Sequence, residues 1–188
     1  MRIAISGPPG SGKTTVCQHV GQKLGYRVVF VGQMFRQMAL ERKVDLEVFG
    51  RLAEEDETID RDLDERMVAI AVKEENIILE GRLTGILLES KNIPVFSVFI
   101  DAPEDVRASR IMEREKKPLD QILREMRKRE TSEKKRYLAY YGVDPSDKTR
   151  YDLWIDSANM SAEEIARRIV SEARVRHVEN ARKGKAPI

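Results

Sequence analysis

Gly7-Pro8-Pro9-Gly10-Ser11-Gly12-Lys13-Thr14 is the stretch on which the reading of this chain turns. It fits the spacing G-x-x-x-x-G-K-[ST] in full. It lies between a short apolar run, Arg2-Ile3-Ala4-Ile5-Ser6, and a run of helical period from Lys13 to about Leu24. A strand before and a helix after is the context in which this spacing cradles phosphate. The glycines let the backbone wrap an anion so that several N–H groups point inward, and the helix dipole adds to them. Lys13 supplies a point charge for the β- and γ-phosphates of a nucleotide, and the Thr14 hydroxyl is a ligand for Mg²⁺.

Further short apolar runs follow at Val28–Val31, Asn76–Glu80, Val95–Ile100 and Tyr151–Asp156. Runs this short, separated by segments of helical period, predict an α/β fold with a mainly parallel sheet. Helices are expected to begin at Thr58 or Asp60 and at Pro103. Another should carry the stripe Leu119, Ile122, Leu123 and Met126, and the last should open on the capping box Ser161…Glu164. Two segments, roughly 32–65 and 112–142, break the strand–helix rhythm and read as inserts. The core is then 1–31, 66–111 and 143–180 of a single domain, with a disordered basic tail over 181–188.

The 188 residues carry 34 Lys and Arg against 32 Asp and Glu, a net charge of +2. The balance is local rather than uniform. Residues 41–65 hold eleven acidic and four basic side chains, whereas 107–136 hold twelve basic and six acidic ones. Uniform basicity would suit nucleic acid; this pattern asks for an anionic ligand at one place. A nucleic-acid-binding module is disfavoured further because aromatics are not interleaved with the basic residues. No run approaches the ~18 apolar residues of a membrane span. The N-terminus leads directly into the first strand, with no room for a signal peptide, so a cytoplasmic protein is expected. Cys17 is the sole cysteine, which excludes an internal disulfide or a cysteine metal cluster; a small buried apolar role suits it better than an acidic thiol.

The strand at 76–80 ends in Glu80, placed to hold Mg²⁺ through water, and Gly81-Arg82 follows into the cleft above the strand ends. No N-K-x-D sequence is present to read guanine. Arg129, Glu133 and Arg136 fall at i, i+4 and i+7 on one helical face, and Arg110 and Arg114 are also four apart. Beside a complete phosphate loop, these arginines form a clamp for phosphate.

GPPGSGKTT, the MFR segment with Arg36, AEEDETIDRDLD, EGRLTG, DAPEDVRASRI, the RE–E–RY run at 129–137, YGVD and YDLWIDSANMS occur in this order. Together they resemble the archaeal-type cytidylate kinases of the nucleoside monophosphate kinase family, over residues 1 to about 175. The resemblance implies a P-loop kinase fold in three layers: a five-stranded parallel sheet ordered 2-3-1-4-5, helices on both faces, a nucleoside monophosphate-binding segment (about 32–65) and a lid (about 112–142). It implies transfer of the ATP γ-phosphoryl group to CMP or dCMP by a monomer. Gly7, Pro8, Pro9, Gly10, Ser11, Gly12, Lys13, Thr14 and Thr15 would hold ATP, with Arg110 and Arg114 at the lid base. Arg36, Gly81 and Arg82 would bind the acceptor monophosphate, and Asp60 and Asp64 would frame its nucleoside. Arg129 and Arg136 would close over the phosphates with Glu133 orienting them. Tyr137, Tyr141 and Tyr151 are expected to serve packing. One departure stands out. Phe30 occupies a position, two before Gly32, where the family usually has a small hydroxyl residue. AMP or UMP therefore stays open as an alternative acceptor.

Overall fold

A computed structural model describes residues 1–182 of the chain. The five strands are β1 (Arg2–Ser6), β2 (Arg27–Phe30), β3 (Ile77–Glu80), β4 (Phe96–Asp101) and β5 (Leu153–Asp156). They form one parallel sheet in the order β2-β3-β1-β4-β5, as the resemblance implied. The eight helices of the described residues are α1 (Lys13–Leu24), α2 (Val31–Glu41), α3 (Leu46–Glu55), α4 (Thr58–Lys73), α5 (Thr84–Ser90), α6 (Glu104–Glu115), α7 (Leu119–Tyr141) and α8 (Ala162–Arg182).

Strand alternation sends side chains into two cores. Ile3, Ile5, Ile78, Val98 and Ile100 meet Val16 and Val20 of α1 and Ile165, Ile169 and Ala173 of α8. Ala4, Ile77 and Leu79 point the other way, to Ile59, Leu63 and Met67 of α4 and Leu88 of α5. With both faces covered, the strands read as continuous apolar runs. Helix α5 approaches the sheet closely: a Cβ on Gly85 would stand 2.8 Å from the Ser97 Cβ. A third, small core of Ala108, Ile111, Ile122 and Met126 joins α6 to α7. On the β5 edge, Phe99 stacks on Trp154 with ring centroids 4.1 Å apart.

Element boundaries differ modestly from expectation. Val31 opens α2 instead of closing β2, since Phe30 is the last residue in register, opposite Glu80. Tyr151 and Asp152 precede β5: the Asp152 carboxylate accepts from the Ser97 backbone N–H and hydroxyl, which takes it out of the strand ladder. Helix α4 starts at Thr58, with Asp56 accepting from both its N–H and its hydroxyl. The Ser161–Glu164 box opens α8 through bonds in both directions. That helix runs to Arg182, two residues past the expected end of the domain; the rest of the expected tail, 183–188, lies outside the described residues.

The acidic and basic blocks of the sequence meet one another. Lys128 and Lys135 of α7 bond Glu47 and Glu54 of α3, Arg136 bonds Asp60 of α4, and the Tyr141 hydroxyl donates to Asp64. Much of the positive charge of α7 thus has a partner within the fold. No helix among the described residues is long and apolar enough to cross a membrane.

Candidate active site

The loop of residues 7–12 emerges from β1, the central strand, between neighbours β3 and β4. This is where an open α/β sheet leaves a crevice beyond its strand ends. Gly10 takes φ +80°, and a Cβ there would lie 2.6 Å from the Arg107 carbonyl oxygen, so only glycine suits both backbone and contact. Helix α1 then starts without a side-chain cap or an acidic residue in its first turn, while α3 is capped by Asp45. Its leading amides therefore keep their capacity for an external anion.

Four of the loop carbonyls, in contrast, accept from side chains. Arg82 donates to Gly7 O, Lys13 Nζ to Pro8 O at 2.7 Å, Arg107 to Pro9 O at 3.2 Å, and the Ser157 hydroxyl to Ser11 O at 3.1 Å. Arg110 reaches Ser157 twice, Oγ at 3.0 Å and the carbonyl oxygen at 2.7 Å. Carbonyls that already have donors do not compete for the loop amides, and of these the Ser11 N–H makes only a long bond, 3.4 Å, to Pro8 O, so the loop keeps N–H groups for a phosphate.

Cations gather at this mouth. Arg82 Nε donates to Glu133 at 2.7 Å, and Arg129 Nε donates to the other Glu133 oxygen at 2.8 Å. One buried carboxylate so holds two guanidinium groups. Burial opposes its charge, but Arg82 and Arg129 outweigh that and keep Glu133 down at about 2. Burial first, and then the neighbouring Arg82, push the Lys13 ammonium down to about 7. Arg36 also loses basicity, through burial and through the fields of Arg129, Arg114 and Arg82. Four cations, Lys13, Arg36, Arg82 and Arg129, against the carboxylates Glu80 and Glu133 leave this mouth net positive, which suits an anionic ligand.

Thr14 Oγ1 and Glu80 face each other at 3.4 Å, and Lys13 Nζ lies 4.0 Å from Glu80. One hydroxyl and one carboxylate match a Mg²⁺ ion that keeps several waters and takes phosphate oxygens as its other ligands. Among the described residues no group of three or more His, Cys, Asp or Glu could hold a metal.

Other expected site residues stand further off. Arg114 bonds Glu115 and is largely exposed, although its charge still bears on Arg36. Arg136 gives Nη1 to both oxygens of Asp60, so this pair anchors α7 to α4. Its Nε is buried without a partner, and Phe35 and Tyr137 flank the guanidinium. Asp64 accepts from Tyr141, which therefore does more than pack, and burial raises this carboxyl to about 6. Cys17 is buried, and burial raises its thiol above the usual value, in keeping with a small apolar role. Arg107, Glu130 and Ser157 escaped the sequence reading. Each lies within a string that carries the resemblance, Arg107 in DAPEDVRASRI, Glu130 in the RE–E–RY run and Ser157 in YDLWIDSANMS, but nothing in those strings marks their partners.

A parallel 2-3-1-4-5 sheet with this loop at its central strand and a ring of arginines above it defines a P-loop kinase. A shikimate kinase from Acinetobacter baumannii has the same fold, at a TM-score of 0.59 and 17% identity, covering 93% of this chain and 93% of that one. The chain belongs to the cytidylate kinase-like family, which it matches over residues 2–159. It is 40% identical to a cytidylate kinase from Archaeoglobus fulgidus over 95% of this chain and 97% of that protein. It is 45% identical to one from Halorubrum lacusprofundi over 87% of this chain and 84% of that protein.

Proposed function

We propose that the protein transfers the γ-phosphoryl group of ATP to CMP or dCMP, giving CDP or dCDP and ADP. The observation that carries this reading is the gathering of Lys13, Arg36, Arg82 and Arg129 within one another's fields at the mouth of a loop whose Gly7, Pro8, Pro9 and Ser11 carbonyls already have donors. Those groups suit two polyanions placed head to head, and the relatives named above supply the acceptor.

An oxygen of the acceptor phosphate attacks the γ-phosphorus in line, and the bond to the bridging oxygen of the β-phosphate breaks as ADP leaves. That acceptor oxygen is already anionic near neutral pH, so no side chain need act as general base. The protein contributes position and charge. The loop amides and Lys13 follow the β- and γ-phosphates, and Arg82 and Arg36 hold the acceptor phosphate. Glu133 keeps Arg82 and Arg129 at fixed separation. Thr14 and Glu80 would hold Mg²⁺, which would supply neutralisation of charge on the phosphate oxygens. Residues 32–65 serve as the acceptor-binding segment and 112–142 as the lid, with Asp60 and Asp64 beside the nucleoside.

Steady-state phosphorylation of CMP, dCMP, UMP and AMP at matched ATP and Mg²⁺ tests the reading. CMP or dCMP should have the highest kcat/KM. A preference for AMP or UMP would overturn the acceptor assignment and implicate Phe30, whose backbone pairs with Glu80 at the edge of the cleft.

A further inference from the structure

Two guanidinium groups tie the phosphate loop to α7 in parallel. The first is Arg82, from Gly7 O to Glu133. The second is Arg107, from Pro9 O to Glu130, and nothing in the proposed chemistry uses it. Arg107 is buried on α6, and its Nε donates to Ala102 O at 3.0 Å, which fixes the stem of the side chain. Its Nη1 alone serves both Pro9 O and the Glu130 carboxylate. Glu130 is three residues from Glu133, so both carboxylates lie on the loop-facing side of α7. Gly10 rests against the Arg107 backbone.

We propose that Arg107 is a positioning residue that couples occupancy of the phosphate loop to the placement of α7. A shift of the Pro9–Gly10 segment as phosphate enters moves the atom that Glu130 holds. Glu130 adjoins Arg129, a cation of the proposed lid that shares the Glu133 carboxylate with Arg82, so arrival of the donor nucleotide settles an arginine of the acceptor side. The fork geometry is essential, because an ammonium on a lysine stem cannot span three acceptors with fixed directions. The inference rests on the kinase reading for its purpose, but its test does not need an acceptor.

The experiment compares the wild-type protein with Glu130→Gln, Arg107→Lys and the double variant. It uses hydrogen exchange of α7 with and without ATP, the Kd for ATP by calorimetry, and kcat with CMP. ATP should slow exchange across residues 126–136 in the wild type. In Glu130→Gln that response should vanish and kcat fall about fivefold, with Kd changed less than about twofold, since Glu130 does not touch the loop. Arg107→Lys should lose the same response and also weaken ATP about tenfold, because Pro9 O loses its donor. The double variant should match Arg107→Lys alone in kcat, as expected of residues acting through one contact. A wild-type-like exchange response in Glu130→Gln, or losses that multiply in the double variant, would overturn the coupling. Glu130 is about one-third exposed, at 32% of its side chain, so its variant decides the matter even if Arg107→Lys fails to fold. A wild-type protein that shows the ATP response but leaves CMP unphosphorylated would sink the acceptor reading and leave the coupling intact.

Discussion

Lys13 is the residue on which most of the local physics converges. Burial and Arg82 hold its ammonium at about 7, so near pH 8 much of it is neutral. Phosphate beside it favours the charged form and raises the pKa. Binding of ATP at pH 8 should therefore take up protons, and this uptake should fade below pH 7, where Lys13 is already charged. Calorimetry in buffers of different ionisation enthalpy measures it; Lys13→Met should abolish the uptake and lower turnover by about three orders of magnitude while the fold persists. The placement of the loop, Lys13, Thr14 and Arg82 at one mouth was legible in the sequence because it depends on spacing within one turn or on the end of one strand. Arg107 was not. Its partners Pro9 and Glu130 lie 98 and 23 positions away, and nothing in a string of residues tells that an arginine will serve a carbonyl rather than a phosphate.

At the scale of elements, the strand order and the helix α1 were readable because apolar runs and glycine spacing leave few alternatives. Boundaries were harder: Val31 looks like a strand residue by propensity, yet it lies past the last register pair, Phe30 with Glu80, and joins the core from the first turn of α2. The close seating of α5 was invisible, since Gly85 resembles any helical glycine until Ser97 is placed 2.8 Å from its missing Cβ. Gly85→Ala should cost about 1–3 kcal/mol by overpacking. Chemical denaturation would show this as a lower midpoint with an unchanged slope. The Ser161 cap acts at the other end of the chain: Ser161→Ala should cost about 1 kcal/mol and leave kcat per folded molecule unaltered.

Across the whole molecule, the near-balance of charge acquires a structural meaning. The acidic segment is the docking surface of the basic one, through Glu47, Glu54 and Asp60. The exposed lysine pairs are open to screening by salt, whereas Asp60–Arg136 is buried, each side chain 6% exposed. Asp60→Asn should destabilise by about 3–5 kcal/mol because it strands a buried guanidinium. Adding Arg136→Met should recover part of that loss in urea melts. The sequence displayed both charge blocks, but their mutual pairing depends on how α7 crosses α3, which no local pattern records. A last consequence concerns Trp154, the chain's only tryptophan. It belongs to β5 and stacks on Phe99 of β4, three residues before the Ser157 whose hydroxyl binds the loop at Ser11, and it lies at the edge of the sheet away from β2. Intrinsic fluorescence of the protein is consequently a one-sided gauge. Titration with ATP should change its emission, whereas titration with CMP alone should leave it nearly constant, so a single cuvette separates donor arrival from acceptor arrival without any label.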